Sequence, residues 1–200
     1  MYVMSTHNLR NGFKRHWSFT RSAGEWDLLP VPPYKSRGKE ESSMKTKDLS
    51  LITVYAALYA AMVVVFSPIS FAALQFRVAG VLRPGIARKK ELAIAYAVGV
   101  VVANVFSPFA GIYELLFMPV MSLISGLVGY EVAKRFNANY YVCGAVIAII
   151  IPLSVSWMLG QLFNLPYAVT LPGLLISEQI INALGATVFK LIESRYRWWE

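Results

Sequence analysis

Residues 140–163 read YYVCGAVIAIIIPLSVSWMLGQLF, twenty-four positions without one charged side chain. A helix needs about 20 mainly apolar residues to cross a bilayer, so this stretch alone points to a membrane-spanning segment. Four more apolar stretches surround it, at 49–66, 92–106, 112–133 and 171–192. A fifth, 67–87, is apolar except for its polar pair Gln75 and Arg77 and a basic residue near its end. It is too polar to face lipid and too apolar for a solvent loop. The pattern predicts an outer loop running into a short second helix shielded by its neighbours. The expected fold is therefore an all-α integral membrane protein with six transmembrane helices, the second short.

Composition agrees. Of 200 residues, 56% are hydrophobic and 15% charged, against about 25% charged in soluble proteins. The net charge of +8 looks at odds with so apolar a chain until the charges are located. Residues 45–200 carry 12 Lys and Arg against 7 acids. With odd helices running outward, the inner segments hold Lys45, Lys47, Arg83, Arg88, Lys89, Lys90, Lys134, Arg135, Arg195 and Arg197. The outer turns, 107–111 and 164–167, hold no basic residue. The positive-inside rule then puts both termini in the cytoplasm, with Arg77 as the basic residue on the outer side. The basic excess is an orientation marker, and no nucleic-acid partner is needed to explain it.

The chain divides into three parts. Residues 1–48 hold both histidines and no long apolar run, and read as a flexible cytoplasmic extension. Met44 followed by Lys45-Thr46-Lys47 would lead straight into the first membrane helix, so residues 1–43 are open to a second reading as an extension from a wrongly assigned start. Residues 49–194 form the membrane domain. Residues 195–200 are a basic, aromatic tail, whose Tyr196-Arg197-Trp198-Trp199 suits the headgroup level of an interface.

Several chemistries are missing. Beyond residue 48 there is no histidine and no aspartate, and the chain has no G-x-x-x-x-G-K-[ST] loop. Hydrolytic triads, zinc-protease motifs and nucleotide hydrolysis by a phosphate loop are thereby excluded. Cys143 stands alone in an apolar helix and reads as a packing residue. No enzyme, metal or cofactor is expected.

Polar residues instead gather in the predicted outer half. They are Gln75 and Arg77 entering the second helix, Asn104 ending the third, Glu114 near the outer end of the fourth, Trp157 on the fifth and Glu178 on the sixth. Six residues inward from Pro172 places Glu178 roughly 9 Å from the outer surface. Ionisable groups inside a membrane are costly and mark function by default. Two readings stay open: helix glue, with Arg77 paired to Glu114 or Glu178, and a small-molecule pocket open to the outside. One arginine against two glutamates would favour a ligand rich in N–H donors or positively charged. A second feature is the stripe Ala56, Ala57, Ala60 and Ala61 on the first helix, small residues that allow another helix to approach closely. Ser122, Ser125, Gly126 and Gly129 form a similar strip suited to internal packing.

Ser67-Pro68-Ile69-Ser70-Phe71 followed by Leu74-Gln75-Phe76-Arg77-Val78 resembles the signature of the QueT family of queuosine-precursor transporters. Ala103-Asn104, Ser177-Glu178 and Leu184-Gly185 are similar to further points of that pattern, and the resemblance covers about residues 44–194. It implies a substrate-binding (S) component of an energy-coupling-factor importer, capturing a vitamin-like molecule from outside. It further implies docking, through the alanine stripe, on a transmembrane coupling subunit bearing two ATPase subunits, and a 7-deazaguanine base as ligand. The chain departs from the pattern at Ala79-Gly80, where an acid usually follows the Arg-Val pair, and at Glu114 and Phe117-Met118. An ion-coupled secondary transporter and a non-transporting membrane assembly protein are the competing readings.

Overall fold

Each long apolar stretch forms a helix in the computed structural model, which describes residues 46–70 and 77–199. The expectations for Gln75, for residues 1–43 and for most of the N-terminal extension fall outside those residues. In order come α1 (Thr46–Val65), the single turn α2 (Ser67–Ser70), a 3₁₀ segment (Val78–Arg88) and α3 (Glu91–Asn104). A π-helical turn (Tyr113–Phe117) then leads into α4 (Met118–Lys134), followed by α5 (Tyr140–Phe163) and α6 (Tyr167–Glu193). No strand occurs among the described residues.

Four helices are long and apolar enough to cross a membrane: α1, the π turn with α4, α5 and α6. Their outward faces carry large apolar side chains such as Val54, Leu116, Ile149 and Leu184. Exposed apolar surface on this scale suits lipid as solvent. Asn139 caps the start of α5 by accepting from the Tyr141 N–H at 2.9 Å. Asn164, at φ 54°, ends α5 in the left-handed region and donates its N–H to Gly160. The sixth helix begins earlier than its apolar run suggests, at Tyr167, so Pro172 sits inside it and Glu178 lies eleven residues from its start. At about 1.5 Å per residue that is roughly 16 Å, deeper than the sequence-based estimate.

The expected short α-helix is instead an 11-residue 3₁₀ segment. Gly80, Pro84 and Gly85 are poor α-formers, and a 3₁₀ helix rises about 2.0 Å per residue. Eleven residues thus cover roughly 22 Å, where an α-helix would cover about 16 Å. The remaining long helices contact one another in the order α1–α3–α4–α5–α6, and the 3₁₀ segment touches all five. It is the central element of the body.

Glycine makes that position possible. A Cβ on Gly185 of α6 would overlap the carbonyl of Val81, and one on Gly85 would lie 2.6 Å from the Phe189 ring. On the far side, Gly99 brings α3 against α1, where a Cβ would meet the Ala56 carbonyl at 3.0 Å. The strip Ser122, Ser125, Gly126 and Gly129 is buried as the sequence indicates, with Gly129 facing Cys143 and Ile147. Replacing Gly185 by Leu should lower stability by about 1–3 kcal/mol or more through overpacking. Gly111→Ala, whose added carbon would have no neighbour nearer than 3.6 Å, should leave the thermal unfolding temperature in detergent unchanged.

Candidate functional site

Arg83 corrects the charge map drawn from sequence. It was expected at the inner surface, yet its side chain is fully buried and forms an ion pair with Glu178 of α6. Its five-residue distance from Arg88 corresponds to about 10 Å of 3₁₀ rise, which lifts it away from the basic end. Arg83 also donates to the Tyr59 hydroxyl of α1 at 3.4 Å and lies over the Tyr96 ring of α3, 5.3 Å from its centroid. Tyr59 and Tyr96 meet edge to face at 5.1 Å. Asn182, one turn after Glu178, donates to the Glu178 backbone oxygen at 2.8 Å and to Oε2 at 3.1 Å. Four elements therefore converge on one guanidinium–carboxylate pair.

Both bonds to the Glu178 carboxylate fall on Oε2. Glu178 also lines a narrow cavity with Arg77, Ile151, Pro152, Val155 and Leu174. Its volume is ≈ 10 Å³, about the space of one water. Arg77, immediately before the 3₁₀ segment, is 5% exposed. So Arg77 and Glu178 share this cavity, but the cation paired with Glu178 is Arg83 rather than Arg77. That also corrects the charge count: Arg77 and Arg83 now balance Glu114 and Glu178 among the buried charged residues.

Asn104 and Glu114 form a second cluster. In a regular helix the Glu114 carbonyl would accept from the Met118 N–H. Here Met118 donates to the Tyr113 carbonyl instead, one residue further back. The Glu114 carbonyl is thereby released to accept from Asn104 Nδ2 at 2.7 Å. Pro119, at the start of α4, brings no N–H of its own to the regular pattern. Such π turns occur often at functional sites. Two acceptors here, Asn104 Oδ1 and Glu114 Oε2, are buried with no hydrogen-bond partner among the described residues. An unmet buried acceptor costs about 1–3 kcal/mol, so both are suited to N–H donors from elsewhere.

Trp157 is 38% exposed and packs on the π turn, 5.9 Å from the Tyr113 ring and 4.9 Å from that of Phe117. It thus accompanies the Glu114 cluster from the outer face of α5 and does not line the Arg77 cavity. The alanine stripe splits in two. Ala56 and Ala60 are buried inside the body, while Ala57 and Ala61 are exposed. A 100° step per residue separates neighbours on a helix, so the two pairs face different ways.

Sequence reasoning missed Arg83, Tyr59, Tyr96 and Asn182. The signals available were an arginine before a Pro-Gly pair inside an apolar run, and Glu178 four residues from Asn182 on one helix face.

A family model described as QueT transporter matches residues 49–194, nearly the whole helical body just described. The chain belongs to the QueT transporter family. It is a multi-pass membrane protein of a transporter family, and the expectation drawn from the Gln-Phe-Arg-Val signature holds at that level. Comparison with curated proteins and with solved structures gave no match.

Removing Arg83 alone should leave a buried carboxylate without its cation. Arg83→Met is expected to cost about 3–5 kcal/mol, read as a large drop in unfolding temperature of the purified protein. The double variant Arg83→Met, Glu178→Met should recover much of that loss, because an apolar pair of similar volume needs no compensation.

Proposed function

We propose that this QueT-family chain is the membrane-embedded substrate-binding component of an energy-coupling-factor importer. It takes up a queuosine precursor, a 7-deazaguanine base or a closely related micronutrient, from the outer side. Energy comes from a transmembrane coupling subunit carrying two ATPase subunits, consistent with a sequence that has no phosphate loop of its own. The chain crosses the bilayer six times, the 3₁₀ segment and the 14-residue α3 being the short crossings. Both ends of the membrane domain face the cytoplasm. Support for this orientation comes from the one end of the body where α1 starts and α4 and α6 finish. Lys47, Arg88, Lys89, Lys134 and Lys190 collect there.

The observation that carries the substrate reading is the pair of buried, unmet acceptors on Asn104 and Glu114. The amino-pyrimidine edge of a 7-deazaguanine presents adjacent N–H donors, and a carboxylate is an acceptor only. Among the described residues two buried arginines stand against two buried glutamates, which leaves no surplus negative charge there. That favours a neutral heterocycle over a cation, which the sequence alone had left equally attractive.

Ligand-dependent thermal stabilisation tests the reading directly. Purified protein should be stabilised by 7-deazaguanine bases. Glu114→Gln should bind them about tenfold or more weakly, since a hydrogen bond to a charged group contributes roughly 1.5–3 kcal/mol. Glu114 makes no ion pair among the described residues, so this variant should fold normally. Unchanged affinity would sink the substrate reading.

Partner docking has its own measurement. Ala57→Trp with Ala61→Trp should abolish co-purification with the coupling subunit while ligand binding survives. Ala56→Trp, directed into the contact with α3, should instead disrupt the fold. Assembly that tolerates the outward pair of tryptophans would argue for an ion-coupled carrier, and uptake abolished by an ionophore while ATP persists would do the same.

A further inference from the structure

The basic end of the body holds a second pocket, far from Arg77 and Glu114, with a volume of ≈ 380 Å³. It opens between the start of α5 and the end of α6, and its walls include Arg88, Phe136, Asn139, Tyr141, Lys190 and Glu193. We propose that it binds the phosphate headgroup of an anionic membrane lipid.

The charges in the pocket do not cancel. Arg88 engages both oxygens of Glu193, Nη2 to Oε1 at 2.5 Å and Nε to Oε2 at 3.3 Å. It also donates to the Tyr140 hydroxyl at 3.3 Å and to the Asn137 carbonyl at 3.4 Å. The Tyr140 and Trp199 rings lie 5.1 and 4.9 Å from its guanidinium carbon. Arg88 and Glu193 thus form a closed, neutral unit. Lys190, one turn earlier on α6, has no carboxylate partner among the described residues. Its ammonium lies 5.9 Å from the centroid of the Tyr141 ring. A net positive charge is left in the pocket, and the N-terminal end of the 24-residue α5 adds to it through the helix dipole. The site is electropositive.

The surroundings select a lipid over a soluble anion. Phe136 and Tyr141 are exposed at the pocket edge, and Ile176, Ile180 and Ala183 lie exposed on the Lys190 face of α6. Successive turns of α6 thus provide a track for an acyl chain leading away from the cation. An aromatic and lysine rim at the end of membrane helices lies at headgroup level, and basic pockets between such helices bind anionic headgroups. The volume falls within the range of small-ligand sites, about 300–1,000 Å³.

Full-length protein purified in detergent can be titrated with phosphatidylglycerol, phosphatidylcholine or inorganic phosphate, with thermal unfolding and native mass spectrometry as readouts. Phosphatidylglycerol should raise the unfolding temperature and remain as a bound adduct, whereas the other two should do neither. Lys190→Glu should weaken the phosphatidylglycerol effect roughly tenfold or more. Lys134→Glu, at the same end but outside the pocket lining, should preserve it. Far-UV circular dichroism and the unfolding temperature without lipid establish that both variants fold. Equal stabilisation by phosphatidylcholine, or an undiminished phosphatidylglycerol preference in Lys190→Glu, would overturn the proposal. Stabilisation by inorganic phosphate to the same extent would also overturn it, in favour of a soluble-anion site.

Discussion

An arginine and a glutamate buried together within a body surrounded by lipid must either be paired or lose their charges, because neither is solvated there. Arg83 and Glu178 are paired, and much of the architecture follows from that requirement. The arginine rides on a 3₁₀ segment, whose longer rise carries it from the basic end towards mid-depth. The glutamate sits on α6, which Gly185 allows the segment to approach within backbone contact. Tyr59 and Tyr96 bring α1 and α3 to the same guanidinium. An apolar core would have held the helices together as well. The ion pair adds a defined register for the central segment, since a shift by one residue would separate the charges.

That arrangement also shapes the candidate site. Because Arg83 and Asn182 both occupy Oε2 of Glu178, the carboxylate is held in one orientation beside the cavity it shares with Arg77. Glu114 has no such partner among the described residues. Its backbone carbonyl is diverted to Asn104 by the π turn, and its carboxylate oxygen Oε2 is buried without a bond. On the proposed function the two glutamates have different duties: Glu178 is chiefly structural and Glu114 meets the ligand. A narrow cavity of ≈ 10 Å³ beside Arg77 and Glu178 means that a heterocyclic base would require this region to open.

Much of the fold was legible because lipid imposes simple demands. Uncharged runs such as 140–163 had to become helices, and the Gln-Phe-Arg-Val stretch was specific enough to identify the family. Arg83 was misplaced because hydropathy and charge counting see only that a basic residue stands near Arg88, Lys89 and Lys90. They carry no information on whether the intervening residues rise 1.5 or 2.0 Å each. Pro84 and Gly85 were the local hint that an α-helix was not the answer. The alanine stripe failed to resolve for a different reason. Ala56 and Ala57 are neighbours in sequence, yet only contact with α3 decides which of the two faces inward. Tyr59 and Tyr96 gave no periodic signal at all, since Arg83, 24 and 13 residues away in the chain, defines their role, whereas Asn182 stood one turn from Glu178 on the same helix face.

The pairing of Arg83 with Glu178 inside the helical body can be measured directly. Solid-state NMR on protein in lipid, with the Arg83 guanidinium labelled by ¹⁵N and the Glu178 carboxyl by ¹³C, measures that contact through dipolar coupling. A strong coupling between these two sites is predicted, with none of comparable strength between Arg88 and Glu178. Absence of the Arg83–Glu178 coupling in folded protein would show that this ion pair does not organise the helical body.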